Sequence, residues 1–119
     1  TMEDLCRYIL KVTFANPTWV KIMFQEASTP GPRLDWMVEH FLLQDFAEGK
    51  GVVEMAQDRG VLPDVDPMHL LYTLSGALIY LVNVAPIIER VTGQAAQDDA
   101  FIDQYVATLM QILSGGKGA

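Results

Sequence analysis

The chain has 119 residues, half of them hydrophobic, a formal charge of −7 at pH 7, one cysteine and two histidines. That length suits one packed domain, and an acidic chain lacks the clustered Lys and Arg needed to grip a phosphate backbone, so this segment is not expected to bind nucleic acid itself. Cys6 has no partner for an internal disulfide, His40 and His69 show no metal-ligand spacing, and neither a metal nor a cofactor is expected.

The opening TMEDLCRYIL places two acids where a secretory signal needs positive charge, so no export segment is expected and the pattern suits a reducing cytoplasm. It also starts inside a helical pattern, as a truncated piece would. Met2, Leu5, Ile9 and Val12 follow steps of three and four, predicting an amphipathic helix from residue 2 to about 15. Asn16-Pro17 closes it and opens the next, since Asn can accept unpaired first-turn amides and Pro has no amide hydrogen to leave unpaired. The second helix is predicted from Pro17 to about Ala27, followed by the turn cluster Ser28 to Pro32.

Leu34, Met37, Val38, Phe41 and Leu42 form one stripe of a third helix, about Arg33 to Leu43. Asp45 to Arg59 reads as a fourth, with Gly49 and Gly51 marking a kink in its first half. Gly60 supplies a left-handed stop, Val61 to Asp66 an extended connection, and Asp66-Pro67 repeats the capping device. The fifth helix should fade near Val91, with Gly93 as its terminator. Asp98 or Asp99 can cap a last helix from about Ala100 to Leu113, and Gly115 to Ala119 reads as a frayed tail. The fold class is therefore all-α, a single helical-bundle domain spanning residues 1–119 with about six helices.

Pro67 to Ile88 carries no formal charge, and a helix apolar on every side must be covered on every side, by lipid or by protein. The run is long enough for a bilayer, where about 20 apolar residues suffice. Thr73, Ser75, Gly76, Asn83 and Pro86 interrupt it, and Arg90 is the sole basic residue near either flank, so the reading is a helix covered by protein rather than by membrane. On the last helix Phe101, Tyr105, Thr108 and Ile112 form one stripe, and Ile102, Val106, Leu109 and Leu113 a second beside it. Two apolar stripes exceed what one small core requires. The last two helices are therefore expected to pack on their copies in a second protomer as a four-helix bundle, giving a homodimer. Gly76 and Ala77, beside Thr73 and Tyr80, would let two backbones approach closely; the alternative is that they relieve crowding inside one protomer.

Five segments carry a resemblance: NPTWVKIMFQEAS (Asn16 to Ser28), PRLDWMVEHF (Pro32 to Phe41), AQDRGVLPDVDP (Ala56 to Pro67), LSGALIYLV (Leu74 to Val82) and RVTG (Arg90 to Gly93). With these the chain resembles the C-terminal regulatory domain of TetR-family transcriptional repressors over nearly its whole length. The most telling motif, Gly-x-Leu-Pro-x-Val-Asp-Pro at Gly60 to Pro67, is a loop pattern rather than a chemical site. The resemblance implies an all-helical domain that binds a small molecule and dimerises through its last two helices. It also implies an upstream helix-turn-helix for operator DNA, which this chain does not contain.

Trp19, Met23, Trp36, Met37, Phe41 and Met55 are large and partly flexible, and can line an adaptable pocket for a small apolar or amphiphilic effector; they equally suit an ordinary core. His40, one turn beyond Trp36, can hydrogen-bond a ligand carbonyl or hydroxyl, and Tyr72 and Ser75 offer hydroxyls unless they bond to backbone one turn earlier. Enzyme chemistry is not expected. Glu26, Asp35 and Glu39 read as solvated acids, Cys6 has no base beside it, and Asp64, Asp66, Asp98 and Asp99 read as loop and capping groups. The rival to a ligand-binding domain is a dimerisation or scaffold module without a pocket.

Overall fold

A computed structural model describes residues Thr1 to Gly115; the rest of the tail expected to fray, Gly116 to Ala119, lies outside the described residues. Helix α1 (Met2–Ala15) is started by Thr1, whose Oγ1 accepts from the Asp4 amide at 3.2 Å while the Asp4 side chain reaches back to the amino group of Thr1. It buries Cys6 and Leu10. Helix α2 (Pro17–Ala27) begins at Asn16 as expected, but Asn16 does not cap it. Its Nδ2 donates instead to the Val12 carbonyl at 2.7 Å, because the side chain satisfies the frayed end of α1 first.

The predicted third and fourth helices are a single rod. α3 (Pro32–Met37) runs through a π-helical turn (Val38–Leu42) directly into α4 (Leu43–Asp58), so the described residues form five helices instead of about six and include no strand. Nothing near Leu43 breaks the backbone. The expected kink at Gly49 and Gly51 is also misplaced: both lie in regular helix, and the irregularity sits upstream at Val38–Leu42. Gly49 faces Leu71 so closely that an added Cβ would sit 2.9 Å from Leu71 Cδ1, so here the small residue permits close packing on the next helix.

Gly60 adopts φ +73°, and the chain folds back so that the amides of Val61 and Leu62 both donate to the Ala56 carbonyl. Gln57 secures the connection, its Nε2 donating to the carbonyls of Pro63 at 2.9 Å and Val65 at 2.8 Å. Leu62 is thereby buried. Helix α5 (Pro67–Thr92) opens on the expected cap: Asp66 Oδ1 accepts from the amides of Met68 at 2.8 Å and His69 at 3.3 Å. Gly93, at φ +76°, ends it. Helix α6 (Asp99–Leu113) starts after Asp98, whose side chain makes no capping bond.

One cluster of buried side chains joins α1, α4, α5 and α6: Leu10 of α1, Val53 of α4, Leu74 and Leu78 of α5, and Ile102 and Val106 of α6 are among its members. Each such side chain contributes about 1.5–3 kcal/mol through removal from water. α1 lies along α6, and ion pairs bracket that contact: Lys11 Nζ is 3.4 Å from Asp99 and Arg7 Nε 2.9 Å from Asp103. The Arg7 Nε approach lacks hydrogen-bond alignment, and these pairs reach solvent, so apolar packing holds the two helices together and the charges set their register.

Candidate functional site

Two surface features qualify as sites. The first is an open groove of ≈ 460 Å³ between α2 and α3, lined by Glu26, Pro32, Arg33, Trp36 and Met37. Gly31, Pro32 and the turn before them bend α3 back onto α2, and Arg33 Nη1 closes one end by pairing with Glu26 Oε1 at 3.1 Å. Trp36 leaves half its surface exposed. Its ring stacks on His40, centroids 4.4 Å apart, and meets the edge of Phe41 at 5.5 Å; His40 Nδ1 also lies 2.8 Å from the Trp36 carbonyl. This arrangement offers an aromatic wall, a thioether and one ion pair. Its walls are mainly apolar, and its polar groups are the Glu26 carboxylate paired with Arg33 and the His40 imidazole beside the Trp36 ring.

The expected pocket residues fall into separate groups. Trp36, Met37, His40 and Phe41 come together around the π-turn. Trp19 and Met23 stand on α2, Trp19 largely exposed and Met23 half-buried. Met55 on α4 is exposed, Ser75 on α5 is half-buried, and Tyr72 forms a second aromatic group with Phe46 and His69, each at 6.5 Å. The sequence reading missed Phe46, Pro32 and Arg33. Phe46 was legible as an exposed aromatic one turn from Leu42 and Leu43, but its approach to Tyr72 depends on how α4 crosses α5.

The second feature is an apolar face along α5 and α6. Tyr80, Val84, Ile87 and Val91 recur at steps of four, three and four along α5 and form, with Phe101 and Tyr105 of α6, the walls of a ≈ 450 Å³ groove. Ile87 and Val91 are 59 % and 77 % exposed, while an adjoining side of the same helix, about a quarter-turn round, sends Leu70, Leu74, Leu78 and Leu81 into the core. α5 is long and apolar enough to span a membrane by length and composition, with mean hydropathy 1.7, and its leucine side is sealed by protein. Of the expected interface residues, Thr73, Gly76, Tyr80, Thr108 and Ile112 are exposed, and Ala77, Phe101 and Tyr105 are half-buried. Tyr105 also joins the helices within the protomer, its hydroxyl donating to the Ala77 carbonyl at 2.6 Å.

Titratable groups add no catalytic arrangement. Burial pushes the Cys6 thiol up, which keeps it protonated, and the Tyr105 phenol is raised by the same cause. The amides of His69 and then Met68 hold the Asp66 carboxyl below the usual range, as a helix cap should. Among the described residues no three His, Cys, Asp or Glu side chains are placed to hold a metal.

This all-helical domain, in which the Gly60–Pro67 loop leads into a long apolar helix followed by a terminal amphipathic one, is of the class of C-terminal domains of TetR-family transcription regulators. This class is not enzymatic. Within it the chain belongs to the family described as "YcdC-like protein, C-terminal region", whose model it matches over residues 1–119. Curated relatives include the HTH-type transcriptional regulator RutR of Escherichia coli (strain K12) and that of Shigella flexneri, each 32 % identical over 57 residues. The matched stretch covers 48 % of this chain and 27 % of each relative. No solved structure matches the chain significantly.

Proposed function

We propose that the chain is the effector-sensing and dimerisation domain of a TetR-like repressor, and that a small apolar or amphiphilic ligand bound among its first four predicted helices modulates DNA binding by an upstream helix-turn-helix. The observation that carries this reading is the presence of an aromatic groove at Trp36 on the α2–α3 hairpin together with a separate exposed apolar face at Tyr80, Ile87 and Val91 on a helix of the core. The matched relatives are HTH-type regulators several times longer than the matched stretch, which supports a longer parent working in the cytoplasm.

The α5 and α6 faces of two protomers would form a four-helix interface. Coupling requires the effector to bind one dimer arrangement more tightly than the other, since equal affinity shifts nothing. The change would then alter the spacing of two DNA-reading units that must meet half-sites about 34 Å apart. Screening apolar and amphiphilic compounds against the parent bound to its operator is the test. Release by a groove-filling compound, abolished by Trp36→Ala, is the expected outcome; operator affinity indifferent to every compound that binds the domain would refute it.

A scaffold module without a ligand site is the second reading, favoured by the open shape of the groove and the scatter of Trp19, Met55 and Tyr72. It predicts that dimerisation persists and that no compound binds near Trp36.

A further inference from the structure

We propose that the π-turn Val38–Leu42 is a hinge, on which the hairpin made by α2 and α3 swings as one unit with Trp36, His40 and Phe41 as its latch. The hairpin is peripheral to the core. None of its buried or partly buried side chains belongs to the central cluster, and Val20 is its one buried residue, whereas α1, α4, α5 and α6 each contribute at least two.

The hairpin joins the body at two non-α joints. At one end Asn16 breaks the helix with φ −129° and ψ 58°, its side chain bonded back to α1 and not forward to α2. At the other end lies the π-turn, none of whose residues is buried. A π-turn holds one more residue than an α-turn spanning the same height, so returning it to α-helix rotates α3 by about 100° against α4 and shifts it by about 1.5 Å. Two discrete arrangements of one continuous rod are therefore available to the backbone.

The aromatic cluster straddles this joint. Trp36 lies on α3 and its partners His40 and Phe41 lie within the turn; the 4.4 Å stack on His40 joins residues four apart, as a regular α-helix also allows, whereas the 5.5 Å edge contact with Phe41 joins residues five apart and depends on the wider π-turn. Downstream, the rod reaches α5 through the close approach of Gly49 to Leu71. The hinge therefore lies between the groove at Trp36 and Met37 and the α4–α5 contact behind the exposed apolar face.

The purpose of this hinge rests on the effector-sensing reading, but the motion is measurable without any ligand. Amide hydrogen exchange on the 119-residue chain, resolved by peptide, should show residues 17–37 opening together and more readily than α1, α5 and α6. Phe41→Ala, at an exposed position, should raise hairpin opening about fivefold and leave α5 and α6 unchanged. Both tryptophans lie on the hairpin, so intrinsic fluorescence follows it independently. Hairpin amides as protected as those of α5, or a Phe41→Ala effect spread evenly over all helices, would overturn the hinge. Anilinonaphthalene sulfonate serves as an amphiphilic probe: if it binds and slows hairpin exchange, hinge and groove are coupled. A hairpin that opens as stated while ignoring the bound probe would sink the effector reading and leave the hinge standing.

Discussion

Gly49 and Gly51 share α4 but meet different surroundings. Alanine in place of either gains about 1 kcal/mol of helix propensity. At Gly51 a new methyl meets nothing within 4 Å, so Gly51→Ala should stabilise the chain by about that amount in urea unfolding. At Gly49 it would press on both Leu71 methyls, at 2.9 and 3.3 Å, and displacing a packed leucine costs roughly 1–3 kcal/mol, leaving an expected net loss of about 1 kcal/mol. Equal midpoints for the two variants would show that α4 and α5 are not in close contact there. Tyr105 makes a second residue-scale test. Tyr105→Phe removes the bond to the Ala77 carbonyl and should cost about 1 kcal/mol. Burial raises its folded pKa above the ordinary value of 10.0, so the tyrosine's contribution is complete below that value and is lost as pH rises through the folded pKa. Alkaline unfolding curves of wild type and Tyr105→Phe should accordingly converge above that point, and a gap that persists there would show that the phenol titrates unperturbed.

At the scale of elements, the caps decide where helices begin. Asp66 holds two amides of α5, so Asp66→Ala should lower Tm by a few degrees at neutral pH, with Asp66→Asn retaining part of the loss. The folded carboxyl titrates below its ordinary 3.8, so its stabilisation is present above that value and fades as pH falls through the lowered pKa; the Tm gap between wild type and Asp66→Ala should close in that range. A gap unchanged in acid would place the effect elsewhere than the charged cap. These boundaries were legible because they are local: Asp66-Pro67, Gly60 and Gly93 act through their own backbone geometry. Asn16 shows the limit, since one amide side chain can serve the helix before it or the one after, and sequence does not choose. The joining of α3 to α4 was hidden for a related reason. Asp45 resembles a cap and Gly49 a breaker, but the segment from Val38 to Asp45 contains neither Pro nor Gly, so packing of the rod on α2 and α5 kept it helical at the expense of one π-turn. The aromatic group at Trp36, His40 and Phe41 was readable from helical spacing, whereas the distance of Trp19, Met55 and Tyr72 from it is fixed by how helices cross.

The whole molecule is a slab, 45 × 39 × 18 Å, with a radius of gyration of 15.3 Å where a compact chain of this length has about 13.5 Å. It exposes 8069 Å², against about 6,400 Å² for a compact monomer of its 13.2 kDa mass. The excess is larger than the roughly 800 Å² that one partner contributes to a standard interface, which leaves room for the proposed dimer. In the proposed dimer the contact would include Gly76. Within the protomer a methyl added there meets nothing within 4 Å, so the glycine weakens α5 by about 1 kcal/mol without aiding any internal packing. It lies on the same side of α5 as exposed Tyr80, whose row continues through Ile87 and Val91. Two predictions separate a self-association face from an incidental one. Gly76→Ala should make the isolated protomer more stable by about 1 kcal/mol and the dimer weaker, because a partner backbone close to Gly76 leaves no room for the methyl. Ile87→Glu with Val91→Glu should weaken dimerisation at least about a hundredfold through burial of unpaired charge, with little change in protomer stability because both positions are exposed. Sedimentation across micromolar concentrations measures both. A wild-type chain that stays monomeric throughout, or a Gly76→Ala variant that dimerises as tightly as wild type, would mean that the row from Gly76 to Val91 faces something other than a second copy.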